Sequence, residues 1–361
     1  MFSESVSVRK IVLTGGGTAG HVMPHIALLP EFHKAGWEVH YVGSGGIEKR
    51  LMIEQGVPFY QIPAGKLRRY FSVRNLTDIF RIIAAVLSSL WILRRLSPDL
   101  VFSKGGFVSV PVSVAAWILR IPVLTHESDV TPGLANRMIT PFARKIFCAF
   151  PETLKYLPSG KGILTGIPVR SSLREGLAKE GLRICNFTEE DSRPVVLIMG
   201  GSQGAESINQ AVLQSQDLLL QEFRLIHLTG AGKDTPLVRD GYQSFEFAGE
   251  ELPHLFAASE LVVGRAGANF LFECLSLRKP MLLIPLQKGS RGDQLLNAAS
   301  FSRAGWAQQL SEENLSPETL LEAIRQLHAD AAKLRQSMEQ GSSADPSSAI
   351  MELLHLHIRQ L

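Results

Sequence analysis

Short runs of consecutive apolar residues recur along the chain, each broken by glycine or polar residues and followed by apolar positions at three- and four-residue spacing. The first run lies in residues 9–14, is broken by Gly15-Gly16-Gly17-Thr18-Ala19-Gly20, and passes into a helical pattern from Val22. This order predicts strand, glycine loop and helix. Further strand-like runs occupy residues 38–42, 100–103, 122–125 and 145–147, with helical patterns between most of them. Strands that alternate with helices predict a parallel sheet covered on both faces. The pattern then restarts: residues 193–199 form an apolar run, Gly200-Gly201-Ser202-Gln203-Gly204-Ala205 breaks it, and a helix begins near Glu206. Runs at 223–227, 261–263 and 281–284 continue this second copy. The expected fold class is α/β, with two doubly wound, Rossmann-like parallel-sheet domains. Glycine and proline interrupt periodicity at Thr165-Gly166-Ile167-Pro168-Val169, so the expected domains are residues 1–166 and 167–345. A last helix, about 346–361, is expected to pack back on the first.

A length of 361 residues suits two domains of ordinary size. Hydrophobic residues make up 45% and charged residues 20%, the composition of a globular protein. A formal charge of +3 is too small to argue for nucleic acid. Cys148, Cys185 and Cys274 show neither CxxC spacing nor a disulfide framework, and a reducing cytoplasm is expected. Residues 1–8 lack the charged-then-apolar pattern of an export signal.

Glycine loops between a buried strand and a helix let backbone N–H groups approach a phosphate, and the helix N-terminus adds partial positive charge. Both halves carry this device. Gly15, Gly17 and Gly20 also fit the dinucleotide fingerprint, but the second strand ends Val42-Gly43-Ser44, without the acid that holds a ribose. Neither loop ends Gly-Lys-Ser/Thr, which argues against an NTPase. A third loop, Gly264-Arg265-Ala266-Gly267-Ala268, opens a helix that carries Glu273. One such helix can offer N–H groups to a pyrophosphate and a carboxylate to a ribose diol. Gln294 and Asn297, three apart on a predicted helix, share a face from which they can reach sugar hydroxyls. Taken singly, each of these residues also fits a capping or solvated role.

Seven segments, in order, resemble the MurG family of glycosyltransferase family 28. They begin at Gly15 (through Pro24), Lys104 (Lys104-Gly105-Gly106-Phe107), His126 (His126-Glu127-Ser128-Asp129, with Pro132-Gly133-Leu134-Ala135-Asn136), Gly166 (through Arg170), Gly200 (through Ala205), Arg265 (Arg265-Ala266-Gly267-Ala268, with Glu273) and Asp293 (through Ala298). The resemblance spans nearly the whole chain. It implies the GT-B architecture, two domains facing across a cleft, and an inverting transfer of N-acetylglucosamine from UDP-GlcNAc to lipid I, giving lipid II for peptidoglycan synthesis. It implies a donor site of Thr18, Gly20, Asp129, Arg170, Ser202, Gln203, Phe247, Ala248, Arg265, Gly267, Ala268, Glu273 and Gln294. Among these, Glu273 would meet the ribose, Ser202 and Arg265 the diphosphate, Gln294 the GlcNAc hydroxyls, and the backbone at Phe247 and Ala248 the uracil. The acceptor would meet Gly16, Gly17, Gly105, Gly106 and His126 in the first domain. Ala19, Asp129, Phe270 and Asp293 depart from the commoner family pattern.

The reaction the resemblance implies needs a base for the attacking hydroxyl and stabilisation for the departing diphosphate. His21, at the end of the first loop, has a reference pKa of about 6.5 that suits a base, and Glu127 is a second candidate. His126 is open to two readings, facing the acceptor or buried and hydrogen-bonded beneath its loop. Helix N-termini, Ser202 and Arg265 can serve the diphosphate without a metal. His21 and His25 have the spacing of metal ligands, but Pro24 lies between them and no third ligand is near, so no metal and no cofactor is expected.

Residues 82–93 are strongly apolar, but twelve residues fall short of the ~20 that span a bilayer. Lys66, Arg68, Arg69, Arg74 and Arg81 precede or open the run, and Arg94 and Arg95 follow it, a cluster suited to anionic headgroups. The expected partners are UDP-GlcNAc, lipid I, the anionic membrane surface and other cell-wall synthesis proteins, with no nucleic acid. The expected location is the cytoplasmic face of the cell membrane, held peripherally. The rival readings are a UDP-GlcNAc 2-epimerase or another GT-B enzyme, and a non-catalytic nucleotide-sugar binding protein.

Overall fold

The computed structural model describes residues 8–63, 74–201, 204–233, 239–287, 291–341 and 345–358, with side chains of the long helix Arg74–Leu96 described from residue 80 onward. The chain divides into two compact units, Met1–Arg170 with Ala344–Leu361, and Ser171–Ser343. Arg170 is therefore the last residue of the first unit before the chain enters the second.

The first unit holds seven strands: β1 (Lys10–Thr14), β2 (Glu38–Gly43), β3 (Phe59–Gln61), β4 (Leu100–Ser103), β5 (Val123–Glu127), β6 (Lys145–Cys148) and β7 (Gly162–Leu164). They form one sheet in the order β3-β2-β1-β4-β5-β6-β7, and every pairing is parallel. Because strand side chains alternate, Ile11 and Leu13 enter one core and Val12 the other. The core on the first face contains Phe32, Trp37, Ile350, Met351 and Leu354. The final helix Pro346–Ile358 therefore packs beside the helix Met23–Lys34. The core on the other face is closed by Ala85, Ile92 and Leu93 of helix Arg74–Leu96 and by Val112, Ala115 and Ala116 of helix Ser109–Ile118.

The second unit holds β8 (Val195–Met199), β9 (Arg224–Leu228), β10 (Tyr242–Phe245), β11 (Leu261–Gly264), β12 (Met281–Leu283) and β13 (Ala307–Gln309), in the order β10-β9-β8-β11-β12-β13, again all parallel. In each sheet the order reverses beside the first strand, β1 or β8. Crossover helices diverge there and leave a crevice at the carboxyl ends of the strands, the position that suits a ligand.

Candidate functional site

In the first unit three loops leave the carboxyl ends of β1, β4 and β5. The loop after β1 runs through residues 15–18 into a short 3-10 turn, Ala19–His21, and then into helix Met23–Lys34. Tyr41 on β2 donates to the carbonyl of Gly15 at 2.9 Å and pins the start of this loop. Gly106, after β4, has φ +83, and a Cβ there would stand 2.4 Å from the carbonyl oxygen of Gly16. The two loops thus touch backbone to backbone, and no side chain fits between them. Thr18 and Gly20 are exposed, and His21 is half-buried with Nδ1 hydrogen-bonded to Thr18 Oγ1 at 3.0 Å.

The segment after β5 is organised around Glu127. Its buried carboxylate accepts from the backbone N–H of Asp129 at 3.0 Å, the N–H of Gly133 at 2.9 Å and the side-chain amide of Asn136 at 2.8 Å. Both oxygens are occupied in holding the loop, which is a structural duty for the second candidate base. His126 is fully buried: Nε2 donates to the Gly166 carbonyl at 2.8 Å, and Nδ1 meets Lys104 Nζ at 2.5 Å. Its ring lies beneath the loop and is enclosed by protein, the second of its two readings. Burial, and then the nearby Lys104 ammonium, push its pKa well below the ordinary histidine value. His25 packs edge-on against Tyr41 and Phe102, its ring nitrogens without hydrogen-bond partners. Burial, with lesser contributions from Lys104 and His21, lowers its pKa to about 3. Among the described residues no group of three His, Cys, Asp or Glu side chains is arranged to hold a metal ion.

In the second unit a cavity of about 650 Å³ opens beside the glycine loop after β8. Ser202 and Gln203 of this loop lie outside the described residues. Gly204 has φ +69, and a Cβ would stand 2.0 Å from the Thr229 carbonyl oxygen, so only glycine lets helix Glu206–Leu219 start this close to β9. The cavity is lined by Gly200, Gly201, Ser207, Arg265, Gln294 and Glu312, among others. Arg265 donates to the Ile284 carbonyl at 3.0 Å, to Ser207 Oγ at 2.9 Å and to Glu312. Burial tends to raise the Glu312 carboxyl, but the bonds from Arg265 and Ser207 outweigh it and leave the pKa below the ordinary value. Gln294 accepts from the Leu286 N–H at 2.9 Å, which fixes its amide at the cavity wall.

The structure therefore joins Arg265, Gln294 and the β8 loop in one cavity. Gly267 caps helix Ala268–Ser276, with Ala268 buried at its start and Glu273 half-buried along it. Phe247, 72% exposed, and Ala248 follow β10. The ring of Phe270 lies against Gly264, where a Cβ would stand 2.8 Å from it, so this departure from the family pattern is accommodated within the fold. Asn297 corrects an expectation: it is fully buried and donates to the Ala266 carbonyl at 3.3 Å, so it braces the loop that carries Arg265. Thr18, Gly20, Asp129 and Arg170, assigned above to the donor, belong to the first unit. Glu312 was missed by the sequence reading, because Ser311-Glu312-Glu313 reads as a solvated helix start and only the placement of β13 beside β12 brings it to the cavity.

The glycosyltransferase family 28 N-terminal domain matches residues 11–148, and the family's C-terminal domain matches residues 195–354. The chain is 50% identical over 351 residues to the UDP-N-acetylglucosamine–N-acetylmuramyl-(pentapeptide) pyrophosphoryl-undecaprenol N-acetylglucosamine transferase of Lachnospira eligens, covering 96% of this chain and 99% of that one. It is 48% identical to the enzyme of the same name from Geobacillus thermodenitrificans, at 96% and 98% coverage. Among solved structures, MurG of Acinetobacter baumannii aligns with a TM-score of 0.75 at 24% identity, over 98% of this chain and 100% of that one. A UDP-N-acetylglucosamine 2-epimerase aligns with a TM-score of 0.67 at 15% identity, over 98% and 97%, a likeness of fold alone. With both domain families matched in order and relatives half identical over nearly the whole length, the chain belongs to glycosyltransferase family 28.

Proposed function

We infer that this protein transfers N-acetylglucosamine from UDP-GlcNAc to the lipid-linked MurNAc-pentapeptide pyrophosphate, lipid I, giving lipid II. The observation that carries this reading is the 45–50% identity, over 96% of the chain, to enzymes named for that transfer. The cavity of the second unit has the chemistry for the donor: the N-terminus of helix Glu206–Leu219 and the Arg265 guanidinium for the diphosphate, and the Gln294 amide for sugar hydroxyls. Glu273, on the helix that Gly267 caps, is the carboxylate for the ribose diol.

In the proposed reaction the acceptor hydroxyl oxygen attacks the anomeric carbon, the bond from that carbon to the UDP phosphate oxygen breaks, and configuration inverts. His21 takes the hydroxyl proton, and Thr18 orients the ring through Nδ1. Glu127 acts at one remove, by holding the loop that contains Asp129. The departing diphosphate carries its new charge against helix N-termini and Arg265.

The lipid acceptor places the enzyme at a membrane surface. Among the described residues no helix is long and apolar enough to cross one. Helix Arg74–Leu96 instead exposes Phe80, Ile83, Leu87 and Trp91 at helical spacing, and helix Ser109–Ile118 beside it exposes Trp117 and Ile118, each between 49% and 67% exposed. Arg81, Arg94 and Arg95 are exposed on the same long helix, an apolar stripe with basic neighbours suited to anionic lipid. Lys66, Arg68 and Arg69 lie outside the described residues, as does the side chain of Arg74.

The test is UDP release from UDP-GlcNAc with and without a soluble lipid I analogue, in the wild type and His21→Ala. Acceptor-dependent release with disaccharide product is expected, and a loss of at least about a hundredfold in the variant with UDP binding retained. Acceptor-independent conversion of the donor would favour an epimerase, and binding without turnover would remove the enzyme reading.

A further inference from the structure

Lys104 stands immediately after β4 with its side chain 2% exposed, and burying a cation is costly unless its surroundings are built to hold it. Its ammonium donates to His126 Nδ1 at 2.5 Å and to Ser128 Oγ. His126 Nε2 lies 2.8 Å from the Gly166 carbonyl, which can only accept, so the ring proton sits on Nε2 and Nδ1 accepts the hydrogen bond from the Lys104 ammonium. One ammonium thereby ties the end of β4, the end of β5 and the segment after β7. The next two residues are Gly105 and Gly106, and Gly106 is the glycine that rests on Gly16. The groups that face Lys104 are His25 from helix Met23–Lys34, His126 and Glu127 from β5, and Asp129 from the loop beyond. Burial lowers its pKa to about 7, against the opposing pull of Glu127 and Asp129.

We propose that Lys104 is a positioning residue for the acceptor: its hydrogen bonds hold the loops at 105–106 and 126–129, and its buried positive charge draws the acceptor's anionic diphosphate to them, so acceptor capture is strongest with the protonated lysine. This rests on the transferase reading and adds to it a residue with no place in the donor site or in proton removal. The sign follows from the charges. A dianion brought near these loops favours protonated Lys104, so capture weakens as pH rises through the region where the unliganded lysine loses its proton. The acceptor diphosphate is esterified at both ends and has no ionisation of its own in that range.

The experiment measures kcat/KM for a soluble lipid I analogue between pH 6 and 9, together with the Kd of UDP-GlcNAc, in the wild type, Lys104→Arg and Lys104→Met. In the wild type kcat/KM for the acceptor should fall about tenfold or more from pH 6.5 to 8.5, the decline expected of a group titrating near 7. Lys104→Arg, charged throughout, should lose that alkaline decline. Lys104→Met should lose it too and sit about tenfold below the wild type at pH 6.5, while donor Kd stays within about twofold in both. A purely structural role would lower activity without removing the pH dependence. An alkaline decline that survives in both variants, or a methionine variant equal to the wild type at pH 6.5, overturns the proposal. Should either variant fail to fold, the wild type alone decides, because a flat alkaline side in acceptor kcat/KM also overturns it. Absence of any acceptor-dependent UDP release in the wild type would instead refute the transferase reading beneath it.

Discussion

Replacing Arg265 by methionine tests whether the cavity of the second unit holds the donor, as proposed, at its most charged point. The guanidinium lines the cavity and its side chain is 11% exposed, while Glu312 beside it is 20% exposed. In the proposed donor site Arg265 gives the diphosphate a charge-assisted hydrogen bond, a class of interaction that contributes about 1.5–3 kcal/mol. Its removal also leaves the Glu312 carboxylate facing the incoming phosphate with Ser207 as its remaining side-chain donor. Two like charges ~4 Å apart at an effective dielectric near 20 repel by at most about 4 kcal/mol, and water reaching the open cavity brings this nearer to 1. Arg265→Met should therefore weaken UDP binding by about 2–3 kcal/mol, or about 30- to 150-fold in Kd. Glu312→Gln should have the opposite sign in the wild-type background, tightening UDP up to about fivefold, and should recover about tenfold when added to Arg265→Met. Isothermal titration of UDP into the four proteins measures all of this. The reasoning fails if Arg265→Met binds UDP within about threefold of the wild type. It also fails if Glu312→Gln weakens binding more than about tenfold, because the carboxylate would then be assisting the ligand.

Three further outcomes follow from the first unit. His25, lowered to about 3 from a reference of 6.5, stays neutral in the fold while the unfolded chain takes up a proton, so stability should fall as pH drops below about 6.5. His25→Phe, compared with the wild type by urea unfolding at pH 7.5 and 5, should shrink that loss by about 2 kcal/mol, and an unchanged loss would assign the acid sensitivity elsewhere. Gly106→Ala forces a methyl group against the Gly16 carbonyl at a φ that favours glycine, so acceptor-dependent turnover should drop by about a hundredfold or more while UDP binding in the second unit is retained. Leu87→Glu with Trp91→Glu places two carboxylates on the exposed stripe, and sedimentation with anionic vesicles should show at least about tenfold weaker binding at unchanged turnover of a soluble acceptor.

The central strands were legible in the sequence and the edges were not. β1, β4, β8 and β11 lie inside their sheets and each carries at least three consecutive buried apolar residues. The four strands that the apolar pattern missed are β3, β7, β10 and β13, the edges of the two sheets. Each has three or four residues and at least one partly exposed position, as in Phe59-Tyr60-Gln61 or Ala307-Gln308-Gln309, which leaves little periodic signal. Glu312 was missed for the same reason, since it follows β13. Lys104 was legible as part of a motif, but lysine is almost never fully buried, and no linear pattern reveals that its ammonium meets a histidine 22 residues on. Asn297 failed in the opposite direction: helical spacing put it on a face with Gln294, and only packing shows that it turns to the Ala266 carbonyl.

The two units repeat one architecture but differ in what titrates at their strand ends. The first gathers His25, Lys104 and His126, with Lys104 near 7 and both buried histidines held neutral at ordinary pH. The cavity of the second is lined by Glu312, whose carboxyl lies below the ordinary carboxylate value, so it keeps its charge around neutrality. The donor's diphosphate, esterified at both ends, does not ionise there either. Affinity for UDP-GlcNAc should accordingly vary less than about twofold between pH 6 and 8.5, while acceptor kcat/KM varies strongly over the same range. Equilibrium binding of the unreacted donor, followed across pH in the absence of acceptor, separates the two. A donor affinity that tracks the pH dependence of turnover would place the titrating group in the second unit, against the division of charge described here.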